Sequence, residues 1–196
     1  MADPVEVLDF WLGEIGPERW YVADEALDAE CRDRFGEVWH AAYDGGLEHW
    51  VDGTVGTMAY LVICDQLARN MHRGDAKSFL TDEQARVAAH KALDHGWDLG
   101  APEPERQFFY MPFMHSENLA DQALCVSLFR EKMPDTGADQ VIHCLAHERV
   151  IARFGRFPFR NLALGRSTTN DEARFLAEGG YAAEVKDVRA SHAPRA

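Results

Sequence analysis

The chain has 196 residues, about the length of one domain at roughly 150 residues per domain. Its 20 Lys and Arg stand against 33 Asp and Glu, a net charge of −13, which argues against nonspecific nucleic-acid binding and against adhesion to an anionic membrane surface. With 46% apolar and 27% charged residues the composition is that of a globular protein rather than a disordered or fibrous one.

The start carries acids at Asp3, Glu6 and Asp9, with no basic stretch before an apolar one, so no secretory signal is expected. Asp3 before Pro4 predicts a helix N-terminus, and Val5, Leu8, Trp11 and Leu12 set its apolar face up to Gly13. Leu27, Cys31, Phe35, Val38 and Ala42 recur at helical spacing, predicting a second helix over about residues 24–43. A third is expected over about 55–71. Its longest uncharged apolar run, Met58 to Cys64, falls far short of the roughly 20 residues that span a bilayer. Thr81 with Gln84 reads as a capping box opening a helix that stops at Gly96. A short helix over 105–111 is broken by Pro112, and Ser116 is the expected cap of the next, which reaches about Met133. A helix over 139–154 ends at Gly155, and Thr169 with Glu172 forms a second capping box. The last residues show little apolar periodicity. The expected organisation is therefore an all-α single domain over residues 1–180, with about eight or nine helices, and a frayed tail over 181–196. The four cysteines, Cys31, Cys64, Cys125 and Cys144, form no CxxC and sit in apolar helical patterns, so reduced core thiols of a cytoplasmic protein are expected.

Four places carry polar chemistry. On the third helix the apolar face of Met58, Leu61 and Val62 continues through Asp65, Arg69 and His72, with Gln66, Asn70 and Arg73 as a parallel row. A carboxylate and a guanidinium one turn apart on a buried stripe are either a packing lock or a ligand site. The second place is Glu105 to Glu117, which holds Arg106 and the His115-Ser116-Glu117 run. His115 has the ordinary range of a proton-transfer group, and the helix start that follows suits anions. The third is His143 and His147, spaced i, i+4; this is the weak candidate for a metal site, and no third ligand is apparent. The fourth is Arg153-Phe-Gly-Arg156-Phe-Pro-Phe-Arg160-Asn161, whose arginines suit bidentate binding of a carboxylate or phosphate. No GxSxG, P-loop or GxGxxG motif is present.

Taken in order, Val7-Leu-Asp-Phe-Trp11, Asp65-Gln-Leu-Ala-Arg-Asn-Met-His-Arg-Gly74, the Glu105–Glu117 run, the Arg153–Asn161 run and Leu164-Gly-Arg-Ser-Thr168 resemble the bacterial domain of unknown function 924 family over about residues 5–178. The resemblance implies an antiparallel, tetratricopeptide-like helical array, and it implies no established activity or cofactor. It also marks a departure: the family usually has His where this chain has Phe159, so a base at that place would fall instead to His115 or His147.

The resulting expectation is a polar pocket for a small anionic ligand, with Arg69, Asn70, Arg73, Arg106, Arg153, Arg156, Arg160 and Asn161 binding it and His115, Glu117 and Asp65 handling protons if there is catalysis. Two other readings stand beside it: a helical scaffold for a peptide or protein partner, and a metal-dependent hydrolase. Whether the chain is an enzyme is left open by the sequence.

Overall fold

The computed structural model describes residues 1–192, and among them every regular element is helical, in nine α-helical rods joined by short 3₁₀ turns. The all-α expectation holds, and the arrangement is broadly consistent with a tetratricopeptide-like array. Two compact units are distinguished along the chain, Met1–Pro112 and Phe113–Ala196.

The first unit begins with α1 (Pro4–Leu8), capped by Asp3 in a reciprocal capping box with Glu6. The rod continues as a π segment over Asp9–Ile15 and ends at Gly16, not at Gly13. Gly16 is the residue in the left-handed region at φ 70°, which is what stops the rod. The second helix, α2 (Glu25–Tyr43), starts where Asp24 accepts the Ala26 and Leu27 N–H groups. A third rod is built from α3 (Thr54–Leu61), a π segment Val62–Leu67 and α4 (Ala68–Met71), and it is buried on all sides from Thr57 through Leu67. It packs against α2 and against α5 (Asp82–His95), around Phe10, Trp11, Phe35, Trp39 and Phe108.

Thr81 precedes α5 as expected but does not cap it. Its buried hydroxyl donates to the Cys64 carbonyl at 2.6 Å and accepts from the Trp39 indole N–H at 3.3 Å, while Gln84 donates to the Ala42 and Tyr43 carbonyls. Tertiary partners have claimed both members of the local motif. The expected helix over 105–111 is a 3₁₀ turn, Glu105–Phe109, followed by the four-residue α6 (Met111–Met114).

The second unit pairs α7 (Leu119–Lys132) with α8 (Ala138–Phe154) through a connection short enough to make them neighbours. Asn118, not Ser116, caps α7 by accepting the Ala120 and Asp121 N–H groups; Ser116 instead donates to Asp121 at 2.6 Å. The capping box of Thr169 and Glu172 opens α9 (Asn170–Ala177) as expected. The frayed tail is overturned over residues 181–192, which form most of α10 (Gly180–His192) on the side of α8. Val188 is fully buried there, and Arg189–Asp139 at 2.6 Å and Arg149–Glu184 at 3.3 Å tie the two helices together. Helix α10 also has a short apolar stripe, Tyr181, Val185 and Val188, set among charged residues. The rest of the expected tail, residues 193–196, lies outside the described residues.

Candidate functional site

In the first unit, helical spacing brings Asp65 and Arg69 together as expected. Asp65 is 1% exposed and lies 3.2 Å from the Arg69 guanidinium, which also reaches Asp82 at 3.0 Å. Gln66 donates to the other Asp65 oxygen at 2.5 Å. Burial opposes the Arg69 charge, but the two carboxylates win and hold its pKa above the ordinary value. Asp65 and Gln66, adjacent in sequence, are both buried because the rod is enclosed on all sides here.

The parallel row finds a partner the sequence did not single out. Asp28, buried on α2, accepts from Asn70 at 2.9 Å and from Arg73 at 2.6 and 2.9 Å. Burial raises the Asp28 pKa and the bonds from Arg73 and Asn70 lower it, leaving it below the ordinary range. Asn70 and Arg73 are therefore anchored rather than open. The signal for Asp28 was present: it falls beside Leu27 and one turn before Cys31 and Arg32, on the margin of a buried stripe.

Beside this pair opens a pocket of about 590 Å³, walled by Glu25, Asp28 and Arg32 of α2 and by His72, Arg73 and Lys77 after α4. Arg32 donates to the Met71 carbonyl at 3.2 Å, and neither Arg32 nor Lys77 forms an ion pair among the described residues. Asp75, also on the wall, is engaged by the Lys77 backbone N–H at 2.8 Å. His72 packs against Trp39 with ring centroids 4.4 Å apart, and its buried Nε2 has no partner among the described residues. Burial, with the Lys77 charge second, lowers the His72 pKa, so the ring is neutral at neutral pH. Arg106, also in this unit, donates to the Ala101 carbonyl at 3.0 Å and lies 3.9 Å from Glu103.

The second unit brings the His115–Glu117 run together with the Arg-rich turn. Gly155, left-handed at φ 68°, ends α8 and turns the chain back. Glu117 accepts the Phe157 N–H at 2.8 Å and a two-pronged contact from Arg166 at 2.8 and 3.1 Å. Arg166 also donates to Asn161 Oδ1 and to the Phe157 carbonyl, both at 3.0 Å. Arg156 grips Glu172 at 2.6 and 2.9 Å, and Glu172 accepts the Thr169 N–H at 2.7 Å. Arg156 and that N–H hold the Glu172 carboxyl down at about 2. Burial opposes the Glu117 charge, yet Arg166 and the Phe157 amide keep its pKa below the ordinary range, so it stays a carboxylate. Arg160 donates to the His115 carbonyl at 2.9 Å and lies over Phe157, while Arg153 stacks on Phe154 and Phe175. Of the expected anion binders here, Arg156 is committed to a carboxylate and Arg153 and Arg160 to aromatic faces. The network's two hubs, Arg166 and Glu172, were missed as site residues, although both lie in motifs the sequence displays.

His147 is buried, edge-on to Phe157 at 5.2 Å and 4.5 Å from the Tyr181 ring; the His115 ring lies 6.4 Å away. Its Nδ1 bonds the His143 carbonyl at 2.9 Å, and burial, then the His115 charge, lowers its pKa to about 3. His143 Nδ1 faces the Tyr181 hydroxyl at 2.6 Å, with Asp139 3.6 Å from Nε2. The two rings thus spend their nitrogens separately, and no group of three or more His, Cys, Asp or Glu among the described residues is placed to hold a metal. Phe159 stacks on Phe157 with centroids 5.2 Å apart, so at that place the turn carries an aromatic packing contact and no proton-transfer group.

Asp65 lies in the first unit, and His115 and Glu117 in the second. No helix of the described residues is long and apolar enough to cross a membrane.

No curated protein matches the chain. A solved structure, a protein of unknown function, ATU0120, from Agrobacterium tumefaciens, is 36% identical and superposes with a TM-score of 0.84, covering 90% of this chain and 97% of that one. The profile described as "Bacterial protein of unknown function (DUF924)" matches residues 7–180. On that match, the chain belongs to the bacterial DUF924 family.

Proposed function

We propose that the protein binds a small anionic ligand, a carboxylate or a phosphate, in the pocket between α2 and the chain that follows α4. The observation that carries this reading is the state of its cations: Arg32 and Lys77 line the pocket without an ion pair among the described residues, while Asp28 and Asp75 are already engaged by Arg73, Asn70 and the Lys77 backbone. Glu25 and Asp75 balance Arg32 and Lys77 in formal charge, so what supports an anion is the unpaired donors of these two side chains rather than net charge, and an Arg fork suits a planar or tetrahedral oxyanion. His72 adds a neutral imidazole at the wall. Glu25 at the rim disfavours a highly charged polyanion. Arg69, Asn70 and Arg73 act in this reading by positioning α4 and Asp28. The four buried free thiols support a cytoplasmic setting.

A thermal-shift panel of inorganic phosphate and small mono- and dicarboxylates tests the proposal. A ligand at 100 times its Kd adds about 2.7 kcal/mol. Arg32→Ala and Lys77→Ala, neither at a buried position, should keep the fold and lose most of that stabilisation. Equal stabilisation in the variants, or none in the wild type across the panel, overturns it.

A further inference from the structure

All four cysteines are buried, but they are not equivalent. Cys125 of α7 and Cys144 of α8 face each other across the helix pair, with their sulfurs 3.2 Å apart. That is closer than ordinary sulfur–sulfur packing, and a bond requires the sulfurs to close from 3.2 Å to about 2.05 Å. Cys31 and Cys64 stand alone: burial raises the Cys31 thiol to about 12 and pushes the Cys64 thiol up further.

We propose that Cys125 and Cys144 are a modification site, oxidised to an intramolecular disulfide by a peroxide. The chemistry closes without any other partner. One sulfur, as thiolate, attacks a peroxide oxygen; the O–O bond breaks, the departing hydroxide takes a proton and leaves as water, and a sulfenic acid remains. The second sulfur attacks the first, the S–S bond forms, the S–O bond breaks, and a second water leaves with the remaining proton. Two thiols have lost two hydrogens, and one hydrogen peroxide has become two waters. At Cys31 or Cys64 the second step has no neighbouring sulfur, so the pair is where oxidation is captured. The bond would staple α7 to α8, the helices whose adjoining ends carry Glu117 and the Arg156–Arg160 turn, and close a loop between positions 19 apart.

The test is made on the intact native chain treated with hydrogen peroxide, then unfolded and alkylated. The expected result is a monomer lighter by two hydrogens, with Cys31 and Cys64 alkylated, a peptide linking Cys125 to Cys144, and a Tm raised by several degrees that returns on reduction with dithiothreitol. Alkylation of all four cysteines overturns the proposal. So does a link that forms only in denaturant, one that joins two chains, or one that involves Cys31 or Cys64. The peptide map needs no variant, so it stands whether or not Cys125→Ser or Cys144→Ser folds.

Discussion

Asp65 is 1% exposed, and its carboxyl group lies 3.2 Å from the Arg69 guanidinium. Removing one partner of a buried pair costs far more than the pair itself contributes, because the other charge is left without compensation. Arg69→Met is therefore expected to lower unfolding stability by about 3 kcal/mol, and adding Asp65→Asn to it should restore much of the loss. Urea denaturation of the single and double variants checks this; a single variant close to wild type would show that Gln66 and the surrounding backbone suffice. The same residues show what a sequence discloses about a site. Asp65 and Arg69 are legible because both lie on one helix at i, i+4. Asp28, Asp82, Arg166 and Glu172 are not, because each pairs with a residue on another element, and no local period relates positions 28 to 73 or 117 to 166.

Helices were legible wherever an apolar stripe repeats and ends in a glycine, as at Gly96 and Gly155. Their caps were legible where the capping hydroxyl stays local: Thr169 keeps its bond to the Glu172 N–H, and the Glu172 carboxylate serves the cap and Arg156 together, whereas Thr81 gives its hydroxyl to Cys64 and Trp39. Neither π segment leaves a trace in hydrophobic spacing, and α10 escapes notice because its apolar stripe, Tyr181, Val185 and Val188, is short and set among charged residues. Glycine substitutions separate local preference from packing at this scale. Gly36, within α2, has open space where a Cβ would stand, with nothing within 4 Å, so Gly36→Ala should raise stability by up to about 1 kcal/mol through helix propensity alone. The same exchange at Gly56 in α3 would set its Cβ 2.2 Å from the Trp50 carbonyl oxygen, a backbone atom that cannot swing aside. Gly56→Ala should therefore lower stability, by about 1–3 kcal/mol, despite the identical propensity gain. Opposite signs of the Tm change are expected, and a gain at Gly56 would mean that the turn before α3 yields easily.

Across the whole molecule, acid acts through buried bases before it acts through carboxylates. His147 is lowered to about 3 by burial, and His143 and His72 are lowered for the same reason. Below the ordinary histidine value of about 6.5 the unfolded chain binds protons that the folded chain refuses, so stability falls as pH falls through that window. The paired carboxylates Glu172, Asp28 and Glu117, held below their ordinary values, add their own loss only lower down. Net charge works the other way: the chain carries −13 at neutral pH and approaches zero near pH 5.0, which relieves self-repulsion over the same range. A decline between pH 6.5 and 4.5 therefore has to come from the histidines. At 1.36 kcal/mol per unit, His147 alone accounts for about 2–3 kcal/mol by pH 4.5. Unfolding free energies at pH 7 and 4.5, at low protein concentration, should differ by that much less in His147→Phe than in the wild type. An equal drop in both would place the acid sensitivity in the other histidines, and would mean that His147 takes up its proton in the folded state at an ordinary value.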